Sequence, residues 1–189
     1  IANIRNTGIS NDEQLRQMQL LRKLNGRHSQ QRHQADPLEA RIQAFEMAYR
    51  MQAEATETFD LSRESKQTLE MYGDSTIGRQ LLMTRRLGER GVRFVQIYHG
   101  GGGAGSWNAH SDLKVNHERN CRETDGPIAT LLKDLKQRGL FEETLILCAG
   151  EMGRTPRINA KAGRDHWPQC GFSFMIGGGV KQGHVHGKT

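Results

Sequence analysis

Residues 91–103, Gly-Val-Arg-Phe-Val-Gln-Ile-Tyr-His-Gly-Gly-Gly-Gly, mark the point where the chain changes from a helical pattern to a strand pattern. Val92 to Tyr98 is rich in β-branched and aromatic residues, which is typical of a strand, and the glycine run ends it. A long helix is predicted from about Leu113 to Arg138. Continuous apolar stretches at Thr144 to Cys148 and Phe172 to Ile176 predict further strands, of which the first is expected to be buried on both faces. This order predicts a βαβ unit extended by one strand, and therefore an α/β fold with a mostly parallel sheet flanked by helices.

The chain before Gly91 is predicted to be helical, because apolar residues recur there at helical spacing. Asp36-Pro37 provides a cap and first-turn signal for a second helix, and a third is predicted from about Asp74 with Gly91 ending it. The composition therefore divides the chain into a helical region, residues 1–90, that packs on a core, and an α/β core, residues 91–189.

The length of 189 residues suffices for about one domain with a real core. The hydrophobic content of 35% and the mean hydropathy of -0.72 are low for a compact globule, which indicates long exposed helices or missing chain. We expect both. The chain opens on Ile1 and stops at Thr189 just after a strand-and-turn pattern, with no signal peptide, so we expect a fragment of one larger domain whose N-terminal half is absent.

The charge and the cysteines exclude some classes of function. The net charge is +6, but the basic residues are scattered and few aromatic residues accompany them, which argues against a nucleic-acid partner. Cys121, Cys148 and Cys170 form no CxxC pair, so a thiolate metal site is not expected. No apolar run is long enough to cross a membrane.

Acidic and imidazole side chains follow the predicted strands at His110, Glu151 and the Asp165-His166 pair. Because the carboxyl ends of parallel strands collect reactive groups, we predict that these residues form one divalent-metal site. Asp165 would either bind the metal itself or accept the ring N–H of a liganding histidine. Glu151 has three ordinary roles: metal ligand, general base, or partner of Arg154.

Polar residues beside these ligands are candidates for substrate binding. Asn108 would contribute its carbonyl oxygen to the metal or bind substrate, although it and His110 would also suit a simple helix cap. Arg154 offers a planar fork that suits a sulfate or phosphate, and Arg164 is a second candidate for holding the anion. Trp167 is predicted to line the pocket or to be a plain core aromatic.

Three other histidines are weaker candidates. His99 ends the predicted strand at 92–98 and is either a loop residue or a support for a ligand. His184 and His186 alternate on what is expected to be an exposed terminal strand, where they are interpreted as incidental.

The motifs in the second half of the chain, taken together, resemble the bacterial family catalogued as domain of unknown function fifteen-oh-one. The resemblance is strong over about Gly91 to Lys188. The motifs are Trp107 to His110, Asn116-His117-Glu118, Thr124-Asp125-Gly126-Pro127-Ile128, Leu131 to Leu140, Gly150 to Pro156, and Gly163-Arg164-Asp165-His166. That family is sulfatase-like and is placed in the alkaline phosphatase superfamily.

The resemblance implies an alkaline phosphatase-like, metal-dependent hydrolase of a sulfated or phosphorylated small molecule or glycan. It implies that the absent first half supplies the nucleophile and a further metal carboxylate, and that the protein is exported to the periplasm or secreted. Mapped by order, His110 matches the first histidine of such enzymes, Glu151 the acid of the second motif, and His166 the last histidine. The identity of the metal, zinc, calcium or another, stays open.

Two positions depart from the pattern of these relatives. Asn108 stands where the family usually has aspartate, and Met152 stands where the wider superfamily has histidine and the family commonly has phenylalanine. An amide and a thioether weaken the binding of a hard cation, so a one-metal or degraded site is expected as an alternative. The second function class is therefore a catalytically weakened, exported binding or structural protein that recognises anionic glycans.

Overall fold

The computed structural model describes residues 8–31, 36–100 and 107–188 and divides the chain into two compact units, Ile1–Arg63 and Glu64–Thr189. The first unit contains helices α1, Asn11–Gln31, and α2, Asp36–Phe59, followed by a 3-10 turn at Leu61–Arg63. Arg22 on α1 donates two hydrogen bonds to the carboxylate of Glu46 on α2, at 3.0 and 2.7 Å. The helical prediction for this part of the chain is confirmed.

The second unit is built on three helices: α3, Lys66–Tyr72, α4, Thr76–Glu89, and α5, Leu113–Gln137. The hydroxyl oxygens of Ser65 and Ser75 cap α3 and α4 by accepting from backbone N–H groups at 3.0 and 3.1 Å. The predictions for α4 and α5 are confirmed to within a few residues. Gly91, with φ of 80°, adopts the left-handed conformation just after the C-cap Arg90, as expected for a residue that ends a helix. Most of the buried apolar side chains lie on these helices, namely Tyr72, Ile77, Leu81, Leu82, Leu131 and Leu135, and Phe141 lies just after α5.

A buried network of charged side chains joins these helices. Arg85 on α4 is 3% exposed and forms ion pairs with Glu64 at 2.7 Å, Glu89 at 2.7 Å and Asp134 at 3.1 Å. Tyr72 donates its hydroxyl proton to Asp134 Oδ2 at 2.9 Å, the same oxygen that pairs with Arg85. The helical core of this unit therefore contains paired charges as well as apolar side chains.

The strands form two small antiparallel sheets. Strand β1, Leu145–Ala149, pairs with β4, Ser173–Gly177, and Leu147 lies opposite Met175. Strand β2, Gly153–Arg154, pairs with β3, His166–Trp167. A 3-10 turn at Phe141–Glu143 connects α5 to β1.

The predicted mostly parallel, alkaline phosphatase-like sheet is wrong. A parallel pair needs a crossover, usually a helix, but residues 150–172 between β1 and β4 contain only β2, β3 and loops, so the chain returns antiparallel. Strand β1 is also not buried on both faces, since Leu145 is 59% exposed and Leu147 is 57% exposed.

The predicted strand at Val92 to Tyr98 is wrong: this segment has no regular secondary structure, and Phe94 and Tyr98 are exposed. The positions of the other two strands are confirmed, but not their direction. The glycine-rich stretch at 101–106 lies outside the described residues. Among the residues that are described, no helix combines the length and the apolar character that crossing a membrane requires.

Candidate metal centre

The loop between β2 and β3 forms the base of the site. Thr155 N donates to Asp165 O at 2.9 Å as the loop leaves β2, and Asn159 N donates to Gly163 O at 2.9 Å at its tip. The short sheet places Arg154 directly opposite His166. Side chains of directly opposed residues lie on the same face of an antiparallel pair, so the register alone brings these two predicted site residues together.

This loop docks on the segment that precedes α5. Arg164 N donates to Ala109 O at 3.0 Å, and Leu113 N donates to Ala162 O at 2.9 Å. Asp112 and Ala162 both have positive φ, 48° and 56°, which costs a non-glycine residue on the order of 1–2 kcal/mol. The docking contacts hold these two residues in that conformation, and they bring the loop against the backbone of His110.

Two imidazoles and one carboxylate form the centre of the site. His110 Nδ1 lies 2.9 Å from Asp165 Oδ1, and His110 Nε2 lies 3.3 Å from His166 Nε2. All three side chains are exposed at the surface of the unit, His110 and Asp165 by about half. His110 therefore lies beside Asp165 and His166, from which it is separated by more than fifty positions, whereas Glu151, which was predicted to join the same metal site, contacts Arg154 instead.

Asn108 and Arg154 extend the cluster. Asn108 Oδ1 lies 3.0 Å from His166 Nε2 and accepts a hydrogen bond from Arg154 Nη1 at 2.5 Å. Arg154 Nη2 donates to Glu151 Oε1 at 3.0 Å. Glu151 is therefore tied to Arg154, the third of the roles that the sequence left open for it.

The donor atoms fit a single small cation in part. Two nitrogens that bind the same zinc ion at about 2.0–2.1 Å, with the tetrahedral angle between them, lie about 3.3 Å apart. The Nε2 atoms of His110 and His166 have this separation, 3.3 Å. Asn108 Oδ1 lies at a similar distance and is the third available donor. Asp165, bonded to His110 Nδ1, takes the position of an orienting acceptor, not of a ligand. Within the described ranges, no group of three or more His, Cys, Asp or Glu residues has an arrangement that could hold a metal ion, so the third donor has to be the amide oxygen of Asn108.

The hydrogen bonds from His110 and Asn159 lower the pKa of the Asp165 carboxyl below its usual value. An ionised Asp165 is the form that accepts the Nδ1–H of His110. With Nδ1 on this carboxylate, the Nε2 atom of His110 faces His166 Nε2 at 3.3 Å, and an unprotonated Nε2 is the form that binds a metal.

The remaining predicted residues surround this centre. Trp167 is half-buried and pairs through its backbone with Gly153, opposite it in the sheet. The Nε atom of Arg164 is buried and finds no hydrogen-bond partner among the described residues. His184 and His186 lie near one another, with ring centroids 6.2 Å apart, and both are exposed.

A second aromatic cluster anchors the segment that carries Asn108. Trp107 Nε1 donates to His99 Nδ1 at 2.8 Å, and the Trp107 ring meets His117 of α5 edge-on. His99 Nε2 lies 3.5 Å from a carboxylate oxygen of Glu123, also on α5. His99 thus takes the supporting role that the sequence left open, and Trp107 fixes the position of its neighbour Asn108.

Sequence reasoning missed Asn159. It lies in the β2–β3 loop and donates from Nδ2 to His110 O at 3.1 Å and to Asp165 Oδ1 at 3.2 Å. The only signal for it is turn chemistry, since an asparagine four residues before Gly163 suits a loop in which the side chain accepts backbone N–H groups. Nothing in that pattern indicates what its amide N–H₂ group contacts.

This is a two-unit chain whose second unit carries a histidine-based cluster on short antiparallel strands. The family model described as "Protein of unknown function (DUF1501)" matches residues 1–189, so the chain belongs to that family. Comparison with curated proteins and with solved structures gives no match.

Proposed function

We propose that this protein is part of a sulfatase-like or phosphatase-like hydrolase that uses one divalent metal to cleave sulfate or phosphate esters. The observation that supports this most is the pair of Nε2 atoms of His110 and His166, 3.3 Å apart, with Asp165 behind the first of them. His110, His166 and Asn108 would hold the metal. When bound, a metal of this kind takes up negative charge that develops on the ester.

The side chains of this chain have separate tasks in the proposal. Asp165 orients His110 and keeps its Nδ1 protonated. Arg154 donates one N–H of Nη1 to Asn108 and one N–H of Nη2 to Glu151. Its guanidinium group keeps further N–H donors for a sulfate or phosphate. Arg164 and Trp167 flank the same loop. We assign no nucleophile to a residue of this chain, and we propose that the working protein is exported.

A specific contact favours the second candidate, a weakened protein that binds anionic glycans without cleaving them. The amide oxygen of Asn108 is 2.5 Å from a guanidinium nitrogen of Arg154, so a metal at Asn108 would lie close to another cation. A neutral amide does little to offset that repulsion, whereas a carboxylate would.

Three substitutions separate these candidates. Asn108→Asp adds a charged oxygen donor next to His166, so we expect tighter zinc binding and faster hydrolysis. Arg154→Ala should weaken the binding of sulfate or phosphate without lowering the zinc content, because it removes a cation from beside Asn108. Glu151→Gln should resemble Arg154→Ala if Glu151 acts only through Arg154, and should lower the zinc content if it is a ligand.

The measurement is zinc content together with hydrolysis of an aryl sulfate and an aryl phosphate, made on the full-length protein. Parent protein that binds zinc and cleaves either ester supports the hydrolase. If the parent and Asn108→Asp bind sulfated glycans but contain no zinc and hydrolyse neither ester, the protein is a binding protein and not a hydrolase.

A further inference from the structure

The side chain of Asn159 uses all of its hydrogen-bonding groups inside the site. Its Oδ1 accepts from the backbone N–H groups of Lys161 at 2.9 Å and Gly163 at 3.0 Å. Its Nδ2 donates to the main-chain oxygen of His110 at 3.1 Å and to the Asp165 carboxylate at 3.2 and 3.4 Å. One carboxamide therefore joins the tip of the β2–β3 loop to both members of the histidine–carboxylate pair.

The orientation of this amide follows from its surroundings. Two backbone N–H groups face one side of the carboxamide, and a carbonyl and a carboxylate oxygen face the other. If the oxygen and the nitrogen were exchanged, the NH₂ group would face the two backbone N–H donors, and the oxygen would face the carbonyl and carboxylate oxygens. Only the orientation with Nδ2 towards Asp165 satisfies every group.

The two contacts of Nδ2 both restrain the position of His110 relative to Asp165. Asp165 is 56% exposed at its side chain and would otherwise be free to turn towards water. The hydrogen bond from Asn159 restrains that carboxylate, while the bond to His110 O restrains the backbone on which the imidazole is carried. Together they fix the 2.9 Å contact between His110 Nδ1 and Asp165 Oδ1.

We propose that Asn159 is a positioning residue that aligns the His110–Asp165 pair, so that the Nε2 atom of His110 points towards His166, the other histidine of the proposed metal site. The effect on metal affinity rests on the proposed function, whereas the alignment of the His110–Asp165 pair does not. Residues that orient metal-binding histidines typically change metal affinity by about 10- to 100-fold when they are removed.

Two variants separate positioning from a merely structural role in the loop. Asn159→Ala loses both sets of contacts. Asn159→Ser keeps a short oxygen that accepts from the N–H two residues on, as in ordinary serine turns, but it is too short to reach His110 O and Asp165. Lys161→Ala, in the same loop, is the matched control, because Lys161 contacts Asn159 only through its backbone N–H.

The test is a double-mutant cycle between Asn159→Ser and Asp165→Asn, read by the visible absorption of Co²⁺ titrated into each protein. We expect each single variant to weaken Co²⁺ binding about 10-fold and to alter its spectrum, and the double variant to be no weaker than Asp165→Asn. Lys161→Ala should bind as the parent does. An unchanged affinity in Asn159→Ser, or losses that multiply in the double variant, would overturn the proposal.

A metal-free measurement keeps the two proposals apart. The ¹⁵N shifts of the His110 ring at a pH where the imidazole is neutral report which nitrogen carries the proton. We expect Nδ1–H in the parent and in Lys161→Ala, and a shift towards Nε2–H in Asn159→Ser and Asn159→Ala. If the parent binds no Co²⁺, the proposed function fails while these shifts still decide the role of Asn159; unchanged shifts in both variants would contradict it.

Discussion

At the scale of single residues, the site depends on a close approach of two backbones at Gly163. A Cβ atom at this position would lie 2.0 Å from the carbonyl carbon of His110 and 2.4 Å from Ser111 N. Neither atom belongs to a flexible side chain, so the clash is relieved only by moving the loop away from the segment that carries His110. Glycine is required here for space, because no side chain fits between the two segments.

We expect Gly163→Ala to lower the free energy of unfolding by on the order of 3 kcal/mol and to weaken metal binding as the loop moves. Gly150→Ala is the matched control, because a Cβ at Gly150 meets nothing within 4 Å. Urea unfolding and Co²⁺ titration of both variants check this. Equal stability and affinity in the two variants would show that the loop does not dock on His110.

The site residues that the sequence predicted are those whose chemistry is visible in their type. His110, Asp165 and His166 were identifiable because imidazoles and a carboxylate follow predicted strands, and the structure brings them together. The roles within the cluster were not predictable. They depend on the register that sets Arg154 opposite His166 and on a loop amide at Asn159, and neither of these is encoded in residue type.

At the scale of elements, Glu64 couples the start of α3 to α4. It pairs with Arg85 and Arg86, and the three side chains are nearly buried. Burial raises the pKa of the Glu64 carboxyl, but the hydrogen bonds and charges of the two arginines outweigh it and leave the pKa lowered. Because the folded-state pKa lies below the unfolded value of about 4.3, this contribution to stability is complete above that pH. It is lost as the pH falls through the folded-state value.

We expect Glu64→Gln to lower the free energy of unfolding at neutral pH by on the order of 3 kcal/mol, because it removes the buried carboxylate that Arg85 and Arg86 share. When the pH is lowered below about 4.3, the stability of the variant should also fall less than the stability of the parent. Urea midpoints measured across this range test both effects.

Glu70→Gln is the matched control for this prediction. Glu70 forms an exposed ion pair with Lys66 on α3, with 66% of its own side chain accessible, and such pairs contribute little. The account of the buried cluster would be contradicted if Glu64→Gln and Glu70→Gln had the same stability at neutral pH and the same dependence on acid.

Helices were predictable from the sequence and sheets were not, for a physical reason. The periodicity of α4 and α5 reports a local geometry that each segment carries within itself, and the left-handed Gly91 ends α4 where expected. The direction of β1 depends on which segment pairs with it, and that is decided by a partner almost thirty residues away, at β4. A continuous apolar run is compatible with either direction.

At the scale of the whole molecule, the second unit combines a helical core that is held by buried ion pairs with a site whose own strands are only two residues long. The site is therefore held by loop docking and by side-chain hydrogen bonds more than by a sheet. Large apolar side chains stay exposed on the longer sheet, including Phe174 at 60% and Met175 at 56%. Exposed apolar groups of this kind mark surfaces that associate readily, so binding measurements need dilute protein.

The proposed function depends on the binding of one divalent metal by His110 and His166 through their Nε2 atoms. Calorimetric titration of metal-free protein with Zn²⁺ tests it most directly, in the parent, His166→Gln and His184→Gln. We expect one Zn²⁺ per chain in the parent and in His184→Gln, whose substitution removes an exposed histidine outside the cluster, and a loss of affinity of at least about 100-fold in His166→Gln. No saturable Zn²⁺ binding in the parent, or equal binding in His166→Gln, would contradict the account.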